Sequence, residues 1–156
     1  MKQRNLGKSG LRVSVAGLGC NNFGGRIDLE ASRKVVHRAL DLGITLFDTA
    51  DMYGNRGGSE ECLGQILGDR RKDIVLASKF HNPMGPGQNQ RGNSRVWIMR
   101  AVEDSLRRLG TDRIDLYQLH EPRPETPIVE TLGELDALVR EGKVREIGCS
   151  NFSATQ

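Results

Sequence analysis

Five times along the chain a short apolar run is followed by a stretch whose apolar residues recur at helical spacing, the pattern of a parallel sheet with helical crossovers. The runs occupy residues 13–20, 44–47, 74–77, 114–119 and 144–149. Asp28 is placed to cap a first helix with Val35, Val36, Ala39 and Leu40 on its apolar face and Gly43 as its stop. Ser59 is a fair N-cap for a second helix over residues 60–67, which Gly68 ends. A third follows Ser94, with Ile98, Val102, Leu106 and Leu109 at helical spacing before Gly110. The fourth follows Pro127, with Ile128, Leu132, Leu135 and Leu138 turned inward and Gly142 as its breaker. Segments 2–4 and 11–13 flank Gly-Lys-Ser-Gly, which suits a short hairpin plugging one end of a barrel. Residues 81–93 have no period and read as a long loop, a mobile lid or rim over a site.

The length of 156 residues fits one domain. A 37% hydrophobic share against 28% charged is too apolar for a disordered chain. The net charge of +3 is spread among interleaved acids and bases, so nucleic acid is not an expected partner. Cys20, Cys62 and Cys149 form no close-spaced pair, which points to reduced thiols and a cytoplasmic protein. No apolar run approaches the ~18 residues of a membrane span, and the polar, basic N-terminus has no leader-like apolar core, so no membrane partner is expected. No metal is expected either.

Four of the five runs end in residues able to do chemistry: Asp48, Lys79, His120, and the pair Ser150 and Asn151. The C-terminal ends of parallel strands converge on one rim, where such sheets place ligands. Tyr53 lies five residues beyond Asp48. Taken singly, each is an ordinary turn, loop or capping residue; their joint placement carries the reading. A Tyr phenol, with a reference pKa of about 10, is a poor acid at neutral pH unless its phenolate is stabilised. Lys79 can supply that stabilisation as a cation, with Asp48 holding the ammonium charged. A neutral His120 can donate its N–H to a substrate carbonyl and set its angle. The expected chemistry is carbonyl reduction, with Tyr53 as general acid and a reduced nicotinamide as hydride donor.

Gly-Leu-Gly at 17–19, Phe-Asp-Thr-Ala-Asp-Met-Tyr-Gly at 47–54, Ser59-Glu60, Ser78-Lys79, Asp115 to His120 and Gly-Cys-Ser-Asn-Phe at 148–152 resemble the aldo-keto reductase family in order and spacing, over essentially the whole chain. The resemblance implies an α/β fold, the first five strand-helix units and N-terminal hairpin of a (β/α)8 TIM barrel, with residues 1–156 an incomplete domain. It gives Asp48, Tyr53, Lys79 and His120 the family's catalytic roles. Ser150 and Asn151 match the pair that holds the nicotinamide carboxamide, and Gly19, Cys20, Asn21 and Asp48 line the nicotinamide-ribose end. It implies NADPH, with NADH the alternative, and a small aldehyde or ketone as substrate. In the family the pyrophosphate and adenine are gripped by segments that would follow residue 156, so the truncated chain is expected to bind cofactor poorly.

Two other readings compete. A Rossmann domain fails on spacing, because Asn22 stands where G-x-G-x-x-G needs its third Gly and the helix starts only near residue 28. A non-catalytic nucleotide-binding or regulatory protein on the same scaffold, as potassium-channel β subunits are, is the second functional class. A five-strand piece of a barrel would leave unpaired edges, so self-association or a missing C-terminal half is expected to cover them.

Overall fold

The computed structural model describes residues 1–123 and 125–156. β1 (Gln3–Asn5) and β2 (Arg12–Ser14) pair antiparallel as the expected hairpin. The parallel sheet follows as β3 (Gly17–Gly19), β4 (Leu46–Asp48), β5 (Val75–Phe80), β6 (Ile114–Leu119) and β7 (Val144–Cys149), each strand beside its predecessor. The crossovers carry α1 (Leu29–Asp41), α2 (Tyr53–Leu67), α3 (Arg95–Leu109) and α4 (Ile128–Arg140).

The first apolar run is two strands rather than one. Ser14 and Thr45 each donate a backbone N–H to the other's hydroxyl, both at 2.9 Å, and Ser14 Oγ donates to Ala16 O at 2.6 Å. That link turns the chain out of the hairpin and into the sheet. The hydropathy of residues 13–20 is continuous across the turn and hides it.

Register sets which side chains share a face, because the side-chain period of a strand is two. Gly19 pairs with Asp48, Asp48 with Ala77, Ala77 with Leu116 and Leu116 with Glu146. The next row on the same face holds Lys79, Gln118 and Gly148. Asp48 and Lys79 therefore stand on one face, one step apart. The opposite face, with Phe47, Leu76, Ser78, Phe80, Tyr117 and Leu119, is buried with the helices. There Phe80 stacks on Tyr117 with ring centroids 4.9 Å apart, beside Trp97, Ile98 and Val102 of α3.

Asp28 caps α1 as expected, its Oδ1 accepting from Ala31 N at 2.8 Å. Three apolar residues assigned inward lie outside. Val35 is 40% exposed because Ser32, Val36, Ala39 and Leu40 fill the packed stripe and Val35 sits about 100° around from Val36. On α4 the packed stripe is Thr131, Leu135 and Leu138, leaving Ile128 and Leu132 at its flank, 52% and 46% exposed. The segment over residues 81–93 has no helix or strand, but its neck is tied: Gly92 N donates to His81 O at 2.7 Å, and His81 Nδ1 meets Asn93 Oδ1 at 2.6 Å.

Candidate active site

Tyr53 sits on a left-handed turn. Gly54, Asn55 and Arg56 have φ between 63° and 69°, and Gly57 has φ 122°. Right-handed α2 begins only beyond them, so the second helix is shorter than its formal limits. Gly54 is required twice over: a Cβ there would lie 2.3 Å from Phe23 O and 2.5 Å from Ser59 N. Ser59, expected as a helix cap, is instead a buried clasp. Its hydroxyl donates to Cys20 O at 2.7 Å and bonds Thr49 Oγ1 at 2.7 Å, joining the loops after β3 and β4.

Lys79, 5% exposed, is the penultimate residue of β5 and donates from Nζ to Asp48 Oδ2 at 2.7 Å and to Thr49 O at 2.9 Å. The same Nζ lies 5.1 Å from the Tyr53 ring centroid. The Tyr53 and His120 rings meet edge to face, with centroids 5.7 Å apart and planes at 84°. The four groups from four segments are thus brought together at the C-terminal mouth of the sheet.

His120 is held on three sides. Its backbone N–H donates to Phe80 O at 3.0 Å, its carbonyl accepts from Asn151 Nδ2 at 2.9 Å, and Asn82 Nδ2 lies 3.1 Å from its Nδ1. An amide nitrogen only donates, so Nδ1 accepts and the ring proton sits on Nε2. Burial lowers the His120 pKa, and the Lys79 charge lowers it further, so the ring is neutral at neutral pH.

Beneath the mouth runs a buried polar network. Glu60, fully buried, accepts from Ser78 Oγ at 2.5 Å and from Arg108 Nε at 2.7 Å, which ties the residue before Lys79 to α2 and α3. Asp51 is fully buried, and neither carboxylate oxygen has a partner among the described residues. Burial, reinforced by Glu60, pushes its pKa well up, so it sits protonated two residues before Tyr53.

The residues expected at the nicotinamide end fall in two places. Gly19 lies at the rim, where a Cβ would meet nothing within 4 Å. Asn21 beside it is exposed. Cys20 is wholly buried, with Sγ 3.5 Å from Leu18 O, its N–H on Asp48 O, and a thiol pKa raised by burial, so only its backbone shapes the rim. Across the mouth, Asn151 has φ 59° and its Nδ2 also approaches Ser150 Oγ at 3.3 Å.

Sequence reasoning missed Thr49, Asn82 and Gln118, whose Nε2 donates to Asp48 Oδ1 at 3.3 Å. Gln118 left a signal: a polar residue inside an apolar strand needs a partner, and strand alternation put it beside Lys79. Asn82, in an aperiodic loop, left none. Among the described residues no cluster of His, Cys, Asp or Glu could hold a metal ion, and no helix is long and apolar enough to cross a membrane.

The profile of the Aldo/keto reductase family matches residues 16–156. Bacillus subtilis "Uncharacterized oxidoreductase YrpG" is 42% identical over 98% of this chain and 50% of its own length. Schizosaccharomyces pombe "Aldo-keto reductase yakc [NADP(+)]" is 42% identical over 91% of the chain and 44% of its own. The solved aldo-keto reductase AKR11C1 from Bacillus halodurans, in its holo form, superposes with a TM-score of 0.89 at 44% identity, covering 97% of this chain and 51% of that one. The five parallel strands and four helices are therefore part of a TIM barrel, and the chain spans about half the length of these relatives.

Proposed function

The chain belongs to the Aldo/keto reductase family, and on that premise we propose that it carries the catalytic mouth of an enzyme that reduces small aldehydes or ketones with NADPH, NADH being the second choice. The observation that carries this reading is the Lys79 ammonium, fixed by Asp48 and Thr49 and set beside both the Tyr53 ring and the neutral His120.

Each group has a distinct task. His120, with its proton on Nε2, donates to the carbonyl oxygen and orients it. Tyr53 then delivers its phenolic proton to the oxygen as negative charge develops there, and the adjacent Lys79 cation stabilises the phenolate left behind. Asp48 pairs with the ammonium and aims it, and Gln118 in turn steadies Asp48. Residues 1–156 act in this scheme as the front part of one barrel domain.

A reduced nicotinamide cofactor held at this mouth would supply the hydride. The donor set at the mouth fits its carboxamide: Asn151 spends Nδ2 on His120 O and keeps Oδ1 as an acceptor, while the Ser150 hydroxyl keeps a proton to donate. On the opposite side Gly19 leaves open space, and it, Asn21, the backbone of Cys20 and Asp48 would line the nicotinamide-ribose end.

The partner is a small carbonyl compound. The outer edges of β3 and β7 are unpaired among the described residues, and Ile128, Val129, Leu132 and Ile147 are exposed, which supports association with a second copy or with the remainder of a barrel.

Mixing the purified protein with NADPH and a reactive aldehyde, while following cofactor absorbance, tests the reading. Turnover is expected, and Tyr53→Phe should lower kcat/KM by roughly 10²- to 10⁴-fold, the usual share of a general acid. Undiminished turnover in Tyr53→Phe would remove the assignment. An intact protein that binds NADPH but turns over no aldehyde would favour the regulatory alternative.

A further inference from the structure

Beside the mouth a cavity of about 390 Å³ opens between the β5–α3 loop and the β6–α4 loop, with His81, Arg91, Asn93, Arg123 and Glu125 among its walls. His81 is its best-anchored wall. It is 2% exposed in a chain region that is otherwise mostly solvent-facing, and it holds φ at 138°, a backbone conformation unfavourable for a residue with a Cβ. Three hydrogen bonds keep it there: Gly92 N to its carbonyl, Asn93 Oδ1 on Nδ1, and Arg123 Nε donating to Nε2 at 2.9 Å. A guanidinium only donates, so Nε2 accepts, Nδ1 carries the proton toward Asn93, and the imidazole is neutral. A neutral base is thus used to fix an arginine at the cavity wall through Nε, and among the described residues the terminal nitrogens of that guanidinium make no hydrogen bond.

Charge in the cavity favours an anion. Among the described residues neither Arg123 nor Arg91 forms a salt bridge, and Glu125, the one carboxylate on the wall, pairs with neither. Two fork-shaped cations against one acid leave a net positive site with the geometry that grips phosphate or carboxylate. Gly92 and Asn93 lead into Ser94, the N-cap of the 15-residue α3, and no side chain there caps the helix, so the positive end of α3 adds to the field.

The cavity also borders the chemistry. Asn82, which holds His120 Nδ1, follows His81 directly, a Cα step of about 3.8 Å. The same loop thus touches His120 through Asn82 and Arg123 through His81.

We propose that this cavity is the subsite for an anionic group, phosphate or carboxylate, on the carbonyl substrate, with Arg123 and Arg91 as its ligands; the substrate part of the proposal rests on the reductase reading above. Preference for anionic aldehydes then comes from these two loops.

Two measurements test it in the protein. In the first, backbone amide resonances of Gly92, Asn93 and Arg123 are followed by NMR during titration with inorganic phosphate and, separately, succinate. Saturable shifts at these residues are expected, weakened at least about tenfold in Arg123→Gln and in Arg91→Gln, whose guanidinium makes no hydrogen bond among the described residues. No saturable shift, or the same curve in both variants, means an adventitious ion only and overturns the cavity assignment. In the second, kcat/KM is compared for glycolaldehyde phosphate against glycolaldehyde and for succinic semialdehyde against butanal. At least one anionic member should be preferred by about tenfold or more, and the preferred pair identifies the group. That ratio should collapse in Arg123→Gln through KM. No preference in either pair overturns the subsite. If no aldehyde of any kind is reduced, the reductase reading fails, while the phosphate titration still decides whether the cavity binds anions.

Discussion

At the scale of single residues, His120 is the group whose protonation the fold controls most visibly. Burial and the Lys79 charge lower its pKa, and Asn82 Nδ2 occupies Nδ1, the atom that would take the second proton. The folded protein therefore binds that proton less readily than the unfolded chain. Stability contributed by the neutral ring is fully present above the unfolded value of about 6.5 and is lost as pH falls from there toward the lower folded value. Activity should follow the same direction: the acid limb of kcat/KM should lie below the ordinary histidine range, and a pH-rate profile run with Asn82→Leu should differ in that limb. A limb at or above the ordinary range would contradict the environment described here. Asp48, Lys79, Tyr53 and His120 were legible in the sequence because each follows a recognisable strand or matches a family motif. Asn82, Thr49 and Asp51 were not. Asn82 and Thr49 act through contacts between segments 38 and 30 residues apart, and no local pattern encodes such partners.

At the scale of elements, all four helices and the last four sheet strands could be read from periodicity and stops. The exceptions have specific causes. The run over residues 13–20 is uniformly apolar across a turn made by the Ser14–Thr45 link. The turn at Tyr53 is left-handed through two non-glycine residues, Asn55 and Arg56, which local propensity disfavours and which the surrounding close packing imposes. Ile128 and Leu132 have helical spacing, but spacing alone does not say how wide the packed stripe is. The α2–α3 contact, by contrast, depends on one glycine. A Cβ on Gly64 would lie 2.3 Å from Arg108 O and 3.0 Å from the Leu109 carbonyl carbon, both backbone atoms that cannot swing aside. Gly64→Ala should destabilise the protein by about 1–3 kcal/mol, the cost of overpacking, outweighing the gain of up to about 1 kcal/mol in helix propensity. Chemical denaturation measures it; a neutral or stabilising result would mean that the two helices can part without cost. The same shift would displace Arg108 from Glu60, and so loosen the support beneath Ser78 and Lys79.

For the whole molecule, five parallel strands in sequential order put Asp48, Lys79 and Gln118 on one face and most of the large apolar side chains on the other. The division follows from the alternation of side chains along each strand, which is why the cluster at the mouth was legible before its supporting network was. The edges were legible too: β7 leaves Ile147 38% exposed and Cys149 exposed, beside an α4 that leaves Val129 75% exposed. Sedimentation of the 156-residue chain should therefore give a species larger than a monomer, whereas a single monomeric boundary with a cooperative melt would show that the edges need no cover.

The central claim is that Tyr53 and Lys79 act on the proton as one unit, and a double-mutant cycle on kcat/KM in the catalytically competent protein probes it with least ambiguity. Tyr53→Phe and Lys79→Met should each cause a large loss, and combining them should cost little beyond the worse single change, because either removes the same function. If the two losses multiply in full, the phenol and the ammonium work independently, and the geometry at the mouth does not mean what it is taken to mean here.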